Sequence, residues 1–267
     1  MLNQNAPLAL TLSLLISALS RAGAPALAQS SRVRVTPQTI CIGAFYGGAT
    51  VRVEGVTGQG NQVIIMVRSA NATQAFKQAR RFGPIWFNAG KVTVSGVPSL
   101  WLVFSSVPVA DCLPRAVIDQ YALDRPAIQK QMRIDCPPPA CTQVADDYLA
   151  YKASQGSYRL VSGAFRLAPP GPPGASSPSY RLEFELPRCA APGQYQIRVL
   201  ECRGGEVVAT SEIPLHVAQV GLPARISWLA SQHASSYGVL SILLALAAGL
   251  GIDFLAAHCF ERRAAGH

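Results

Sequence analysis

Polar and apolar positions along the chain follow two periods in turn, with a long apolar run near each end. Residues 32–36 read Arg-Val-Arg-Val-Thr, an alternation that gives a strand one wet face and one buried face. Residues 40–44, 49–53 (ATVRV) and 62–68 (QVIIMVR) continue it, and Gly47-Gly48 and Gly58-Gln59-Gly60-Asn61 separate these strands as turns. Residues 70–81 are polar and rich in Arg and Gln, which predicts one more strand followed by a loop. Residues 84–88 (PIWFN), 91–95 and 100–104 (LWLVF) add three short apolar β-like runs.

After Pro108 the period lengthens. Residues 113–122 and 127–134 have helical spacing, and 145–153 (ADDYLAYKA) predict a helix with Asp146 and Asp147 in its first turn. Alternation resumes at 158–167 and again at 181–186, 194–202 and 206–217. The stretch 169–178 (PPGPPGASSP) is a proline- and glycine-rich connection that cannot carry a sheet ladder. Arg203-Gly204-Gly205 reads as a hairpin turn. Ala191-Pro192-Gly193 leading into Tyr195 and Val199 has a form common in immunoglobulin-like sandwiches. The fold expected is therefore mainly β: an immunoglobulin-like β-sandwich from parts 29–110 and 158–218, with a helical segment at 111–157.

The ends set the address. Residues 8–18 (LALTLSLLISA) have signal-peptide length, and Ala26-Leu27-Ala28 offers small residues for cleavage before Gln29. The alternative is an uncleaved N-terminal anchor, since no Lys or Arg precedes the run. Residues 237–257 (YGVLSILLALAAGLGIDFLAA) reach the roughly 20 residues needed to cross a bilayer core. Arg262 and Arg263 follow this segment in the 258–267 tail, which places that tail in the cytoplasm and the preceding domain in the periplasm. In the connecting stretch 219–236, Leu222, Ile226 and Leu229 share a helical face beside Trp228, a pattern suited to the headgroup level. The expected location is the bacterial inner membrane, crossed once.

Composition narrows the function classes. Only 14% of the 267 residues are charged against 49% hydrophobic, which excludes a disordered polyampholyte. The exported part carries 20 basic and 12 acidic residues, +8 of the total +9. Apart from Lys77, Arg80 and Arg81 these charges are dispersed without interleaved stacking aromatics, which argues against nucleic acid.

Six cysteines lie in the exported part: Cys41, Cys112, Cys136, Cys141, Cys189 and Cys202. An even count in an oxidising compartment reads as disulfides, with fifteen pairings open. Cys136 and Cys141 flank a proline run that a local bridge could close, Cys189 and Cys202 could staple neighbouring strands, and Cys41 and Cys112 remain. Thiol or metal chemistry at Cys136 and Cys141 is the alternative, weakened by the C-x4-C spacing and the lack of nearby histidines. Cys259 lies at the cytoplasmic end.

Taken together, Gly83-Pro84-Ile85-Trp86-Phe87-Asn88 leading to Val97-Pro98-Ser99 and Ser105-Ser106, Pro192-Gly193-Gln194-Tyr195 with Val199, and 217–220 running into the terminal helix resemble a family of predicted alphaproteobacterial transmembrane proteins. The resemblance implies an envelope protein with one C-terminal span and no assigned activity. It also makes a sulfite-exporter-type permease the expected kind of partner. It supplies no catalytic or cofactor-binding residue.

The motifs of hydrolases, metalloproteases and nucleotide-binding enzymes are missing from the sequence. His216 reads as a strand residue and His233 as juxtamembrane. Asp146/Asp147 and Glu183/Glu185 are pairs by spacing alone. No catalytic, cofactor or metal residue is therefore expected, and the chain is read as a non-enzymatic accessory or binding module. Asp253 inside the span could contact an ion or partner, or reach headgroups or Arg262. Ala245/Gly249 and Ala247/Gly251 would let a second helix approach closely. The other readings are a thiol or metal handler and an envelope structural protein that holds anionic polymer.

Overall fold

A computed structural model describes residues 33–82, 84–136, 141–169 and 177–264; the side chains of 78–82, 85–89, 141–142 and 257–264 lie outside that description, as does the expected signal peptide. The chain is mainly β, with one long apolar helix among the described residues, at the C-terminus.

One sheet is built from β1 (Arg34–Thr36), β3 (Ala49–Val56), β10 (Leu167–Ala168) and β11 (Ser179–Leu186) in the order β1-β3-β11-β10. A second contains β2 (Thr39–Ile42), β4 (Gln62–Ser69), β7 (Trp101–Ser105), β9 (Tyr158–Ser162), β12 (Gly193–Arg203) and β13 (Glu206–Gln219). Its order is β2-β13-β12-β4-β7-β9, with parallel pairs at β2–β13 and β7–β9. The sheets share one core, in which Val51, Val53, Leu182 and Phe184 of the first meet Val63, Ile65, Phe104 and Val199 of the second. Phe104 stacks on Phe184 with ring centres 5.4 Å apart. Burying such surface contributes roughly 25 cal/mol per Å². In β11, Arg181 to Leu186 alternate exposed and buried in register with β3, as the period-two pattern predicts.

The β4 strand has a second duty. Val63, Ile65 and Val67 enter the core between the sheets, while Ile64 and Met66 enter another core on the opposite face. That second core is roofed by α1 (Val109–Cys112), α2 (Arg115–Tyr121), α3 (Arg125–Gln131) and α4 (Cys141–Ser154). Asp124 caps α3, its side chain accepting from the Ala127 N–H at 2.9 Å.

Three expectations need correction. Residues 71–98 are not a strand, a loop and two short runs. They form a long hairpin of β5 (Asn71–Phe82) and β6 (Ile85–Pro98), joined by β8 (Arg133–Asp135) into a third sheet. Polar residues hid this hairpin because only one side of β6 is covered, by Val92, Val94 and Val97. The helix expected over 127–134 stops at Gln131, where Met132 is already extended and β8 follows. Asp146 and Asp147 do not open α4, which starts at Cys141; Asp146 instead lies 3.9 Å from Arg125.

Candidate functional site

Beyond β13 the chain turns at Gly221, whose positive φ suits a residue without a β-carbon, and enters α5 (Leu222–Gln232). Leu222, Ile226 and Trp228 are exposed there. The Trp228 ring meets His233 at 4.9 Å where α5 ends and α6 (Ala234–Ala264) begins. Within α6, Ala234–Ala256 forms a 23-residue candidate span of mean hydropathy 2.3, none of it buried among the described residues. At 1.5 Å per residue this is long enough to cross a bilayer core. An uncovered helix of this composition is stable in lipid, where its backbone groups bond internally. Gly249 and Gly251 have open space where a β-carbon would stand, and Asp253 is exposed on the same helix.

The β-rich part offers three further features that sequence reading passed over. Lys152, read only as a helix residue, is 6% exposed and donates to the Ser99 carbonyl at 3.3 Å, with its ammonium 5.7 Å from the Tyr148 ring centre. Burial lowers its pKa, and Cys189 nearby opposes that shift. The Cys189 sulfur lies 3.1 Å from the Ser157 hydroxyl, so an amine, a hydroxyl and an exposed thiol share one neighbourhood. Glu201, 4% exposed, accepts hydrogen bonds from Thr57 Oγ1, from Asn61 Nδ2 at 2.8 Å and from the Gly58 N–H at 3.4 Å. These bonds fix the β3–β4 turn and account for a buried carboxylate structurally. On the first sheet, Arg34, Arg166 and Arg181 line an open cleft together with Glu54, which pairs with Arg181 at 2.7 Å.

A smaller cavity of about 170 Å³ lies between β6 and α4, lined by Phe76, Val92, Val94, Val144, Tyr148 and Tyr151. Phe76 meets both tyrosines edge-on, at 5.7 and 5.8 Å.

The residues singled out from the sequence do not converge. His216 is an exposed strand residue of β13 opposite Gln194, and Glu183 pairs with Arg52 on the outer face of the first sheet. Lys77 is exposed on β5; the side chains of Arg80 and Arg81 lie outside the described residues. The pairings of Cys189 with Cys202 and of Cys41 with Cys112 are overturned, since neither pair is bonded. Cys189 and Cys41 are exposed while Cys202 and Cys112 are buried, so each expected pair is divided between surface and core. Cys136 is disulfide-bonded. The side chain of Cys141 lies outside the described residues. Among the described residues no group of three or more His, Cys, Asp or Glu side chains could hold a metal ion.

A β-rich body continued by one uncovered apolar helix defines a membrane-anchored protein with a single C-terminal candidate span. The chain belongs to the family described as "Putative transmembrane protein (Alph_Pro_TM)", whose model matches residues 32–258. No curated protein matches it.

Proposed function

We propose that the protein is a non-enzymatic accessory or binding module. In this reading its immunoglobulin-like domain is held in the periplasm by the C-terminal helix, beside an integral membrane partner of the permease kind. The observation that carries the reading is the helix itself: a 23-residue, predominantly apolar stretch, none of it buried among the described residues. Small residues at Ala245, Ala247, Gly249 and Gly251 favour close approach of another helix. Arg262 and Arg263 after the span favour a cytoplasmic tail.

The immunoglobulin-like description draws support from strand order. The order β1-β3-β11-β10 opposite β13-β12-β4 follows the A-B-E-D and G-F-C arrangement of such sandwiches. Tyr195 at the start of β12 donates its hydroxyl to the Ala191 carbonyl at 2.7 Å, as a tyrosine corner does.

Mild cross-linking in intact membranes followed by mass spectrometry tests the proposal. A permease recovered with the native chain, and lost on replacing Gly249 and Gly251 by leucine, is the expected result. Recovery unaffected by those replacements would move the contact to the β-rich domain, and no partner at normal expression would reject the accessory role.

A second reading, retention of anionic envelope polymer, is favoured by Arg34, Arg166 and Arg181 in one cleft. Exposed charges are screened over about 10 Å at 0.1 M salt, so such binding should disappear at high salt. Retention that survives high salt would exclude it.

A further inference from the structure

Among the described residues four cysteines are unbonded in the structure and divide by position: Cys41 and Cys189 at the surface, Cys112 and Cys202 in the same buried core. The path of the chain explains why the second two meet. On β12, Arg198 lies over the ring of Tyr121, the last residue of α2, at 6.0 Å. At the far end of β12, a β-carbon on Gly205 would stand 3.9 Å from Pro114 Cδ. The segment from Pro114 to Tyr121 is therefore laid antiparallel along β12, from its hairpin end back towards Arg198. Cys112 ends α1 just before Pro114, and Cys202 lies just before the hairpin. Leu200 and Cys202 face this core, whereas Ile197 and Val199 face the other, as period-two alternation requires. Cys202 is 1% exposed and Cys112 is 8% exposed.

We propose that Cys112 and Cys202 form a disulfide in the exported protein, joining the helical segment to the central strand of the larger sheet. The proposal rests on the domain standing outside the cytoplasm, where such bonds persist. The oxidant is a protein disulfide of the exported compartment. One cysteine thiolate attacks it to give a mixed disulfide, and the second cysteine sulfur displaces the donor. A sulfur–sulfur bond forms in this chain, the donor's bond is cleaved, and two electrons and two protons pass to the donor as a dithiol.

The folded environment orders these events. Burial pushes the Cys202 thiol up to about 12, with the neighbouring Cys112 adding to the effect, and burial also raises Cys112. Neither sulfur presents a thiolate once the core has closed, so the bond is made while the chain is still folding. The same closure shields the finished bond from reductants. The sequence-based pairing failed because it assigned Cys202 to Cys189, which the fold leaves at the surface.

The test uses the full-length protein in the membranes where it is made. Thiols are trapped in acid, the chain is unfolded and alkylated with N-ethylmaleimide, and unreduced digests are read by mass spectrometry. The expected result is a linked peptide pair containing Cys112 and Cys202, with alkylation at Cys41 and Cys189. Alkylation of Cys112 and Cys202 with Cys136 still protected would overturn the proposal and leave the exported reading intact. Alkylation of Cys136 as well would reject export, and the pair with it. Linkage of Cys202 to any other cysteine would also overturn it.

Discussion

Tyr180 on β11 fills the space above Gly55 on β3: a β-carbon at Gly55 would stand 2.5 Å from Tyr180 Cζ. The two are cross-strand partners, so the ring covers the backbone that glycine leaves bare. Any side chain at Gly55 must displace a ring that is 2% exposed.

Gly55→Val is accordingly expected to destabilise the domain by about 1–3 kcal/mol through overpacking, read as a lower urea midpoint. Tyr180→Phe separates packing from polarity. The buried Tyr180 hydroxyl has no hydrogen-bond partner among the described residues, so its removal should leave stability unchanged or raised. A large loss in Tyr180→Phe would contradict this account.

Glu201 supports a second expectation. Glu201→Ala strands the Thr57 hydroxyl, the Asn61 amide and the Gly58 N–H around an empty site. Leaving buried donors unsatisfied costs about 1–3 kcal/mol. Thermal unfolding should show that loss, with protection of the 57–61 turn amides falling first in hydrogen exchange.

Trp101 and Ala122 give a third. The indole N–H donates to the Ala122 carbonyl at 2.9 Å, and Ala122 holds a left-handed φ of 53° at the end of α2. Trp101→Phe removes the donor and should cost about 2–4 kcal/mol, combining a lost buried hydrogen bond with a partial cavity. Ala122→Gly relieves the backbone but deletes a buried methyl, so its effect should stay within about 1 kcal/mol. Denaturant unfolding of the two variants distinguishes them.

Alkaline pH should unfold the domain, and the sign follows from burial. Tyr158, Tyr180 and Tyr195 are each held neutral beyond the ordinary phenol value, and Tyr195 is pushed up to about 12. Their contribution is complete below the unfolded value near 10 and is lost as pH rises through the folded values. Lys152 acts oppositely: its lowered pKa makes the charged form costly, and that cost is relieved as pH rises towards 10.5. Burial raises Tyr46 and Tyr148 as well, so five phenols act against one amine and stability should fall between pH 10 and 12. Tyr195→Phe should flatten the slope of unfolding free energy against pH by about one proton; an unaltered slope would argue against burial as the cause.

Sequence pattern disclosed the strands that have one wet face, such as β11, because burial alternates there with period two. It also found β4, whose residues 63–67 are buried on both faces and so apolar without alternation. It misread β5 and β6, where polar side chains interrupt the apolar run while backbone pairing continues from Asn71–Pro98 to Phe82–Ile85. The apolar terminal helix was plain because length and composition alone define it. Lys152, Glu201 and the arginine cleft were hidden, since each depends on residues brought together from distant segments. Cysteine pairing was hidden for the same reason: spacing could propose partners but not say which thiols share a core.

The attachment point of the anchor has a mechanical consequence. The chain leaves the body from the end of β13, which lies between β12 on one side and β2 on the other. A pull applied along β13 would load that strand along its own length. The load is shared by a ladder running from Gly193–Val217 to Arg203–Glu206 and by the parallel rungs to β2, from His216–Thr39 to Gln219–Ile42. Rungs loaded in shear must give way together, whereas a peeled edge yields them one at a time. The tether thus leaves from a strand paired on both sides rather than from a sheet edge.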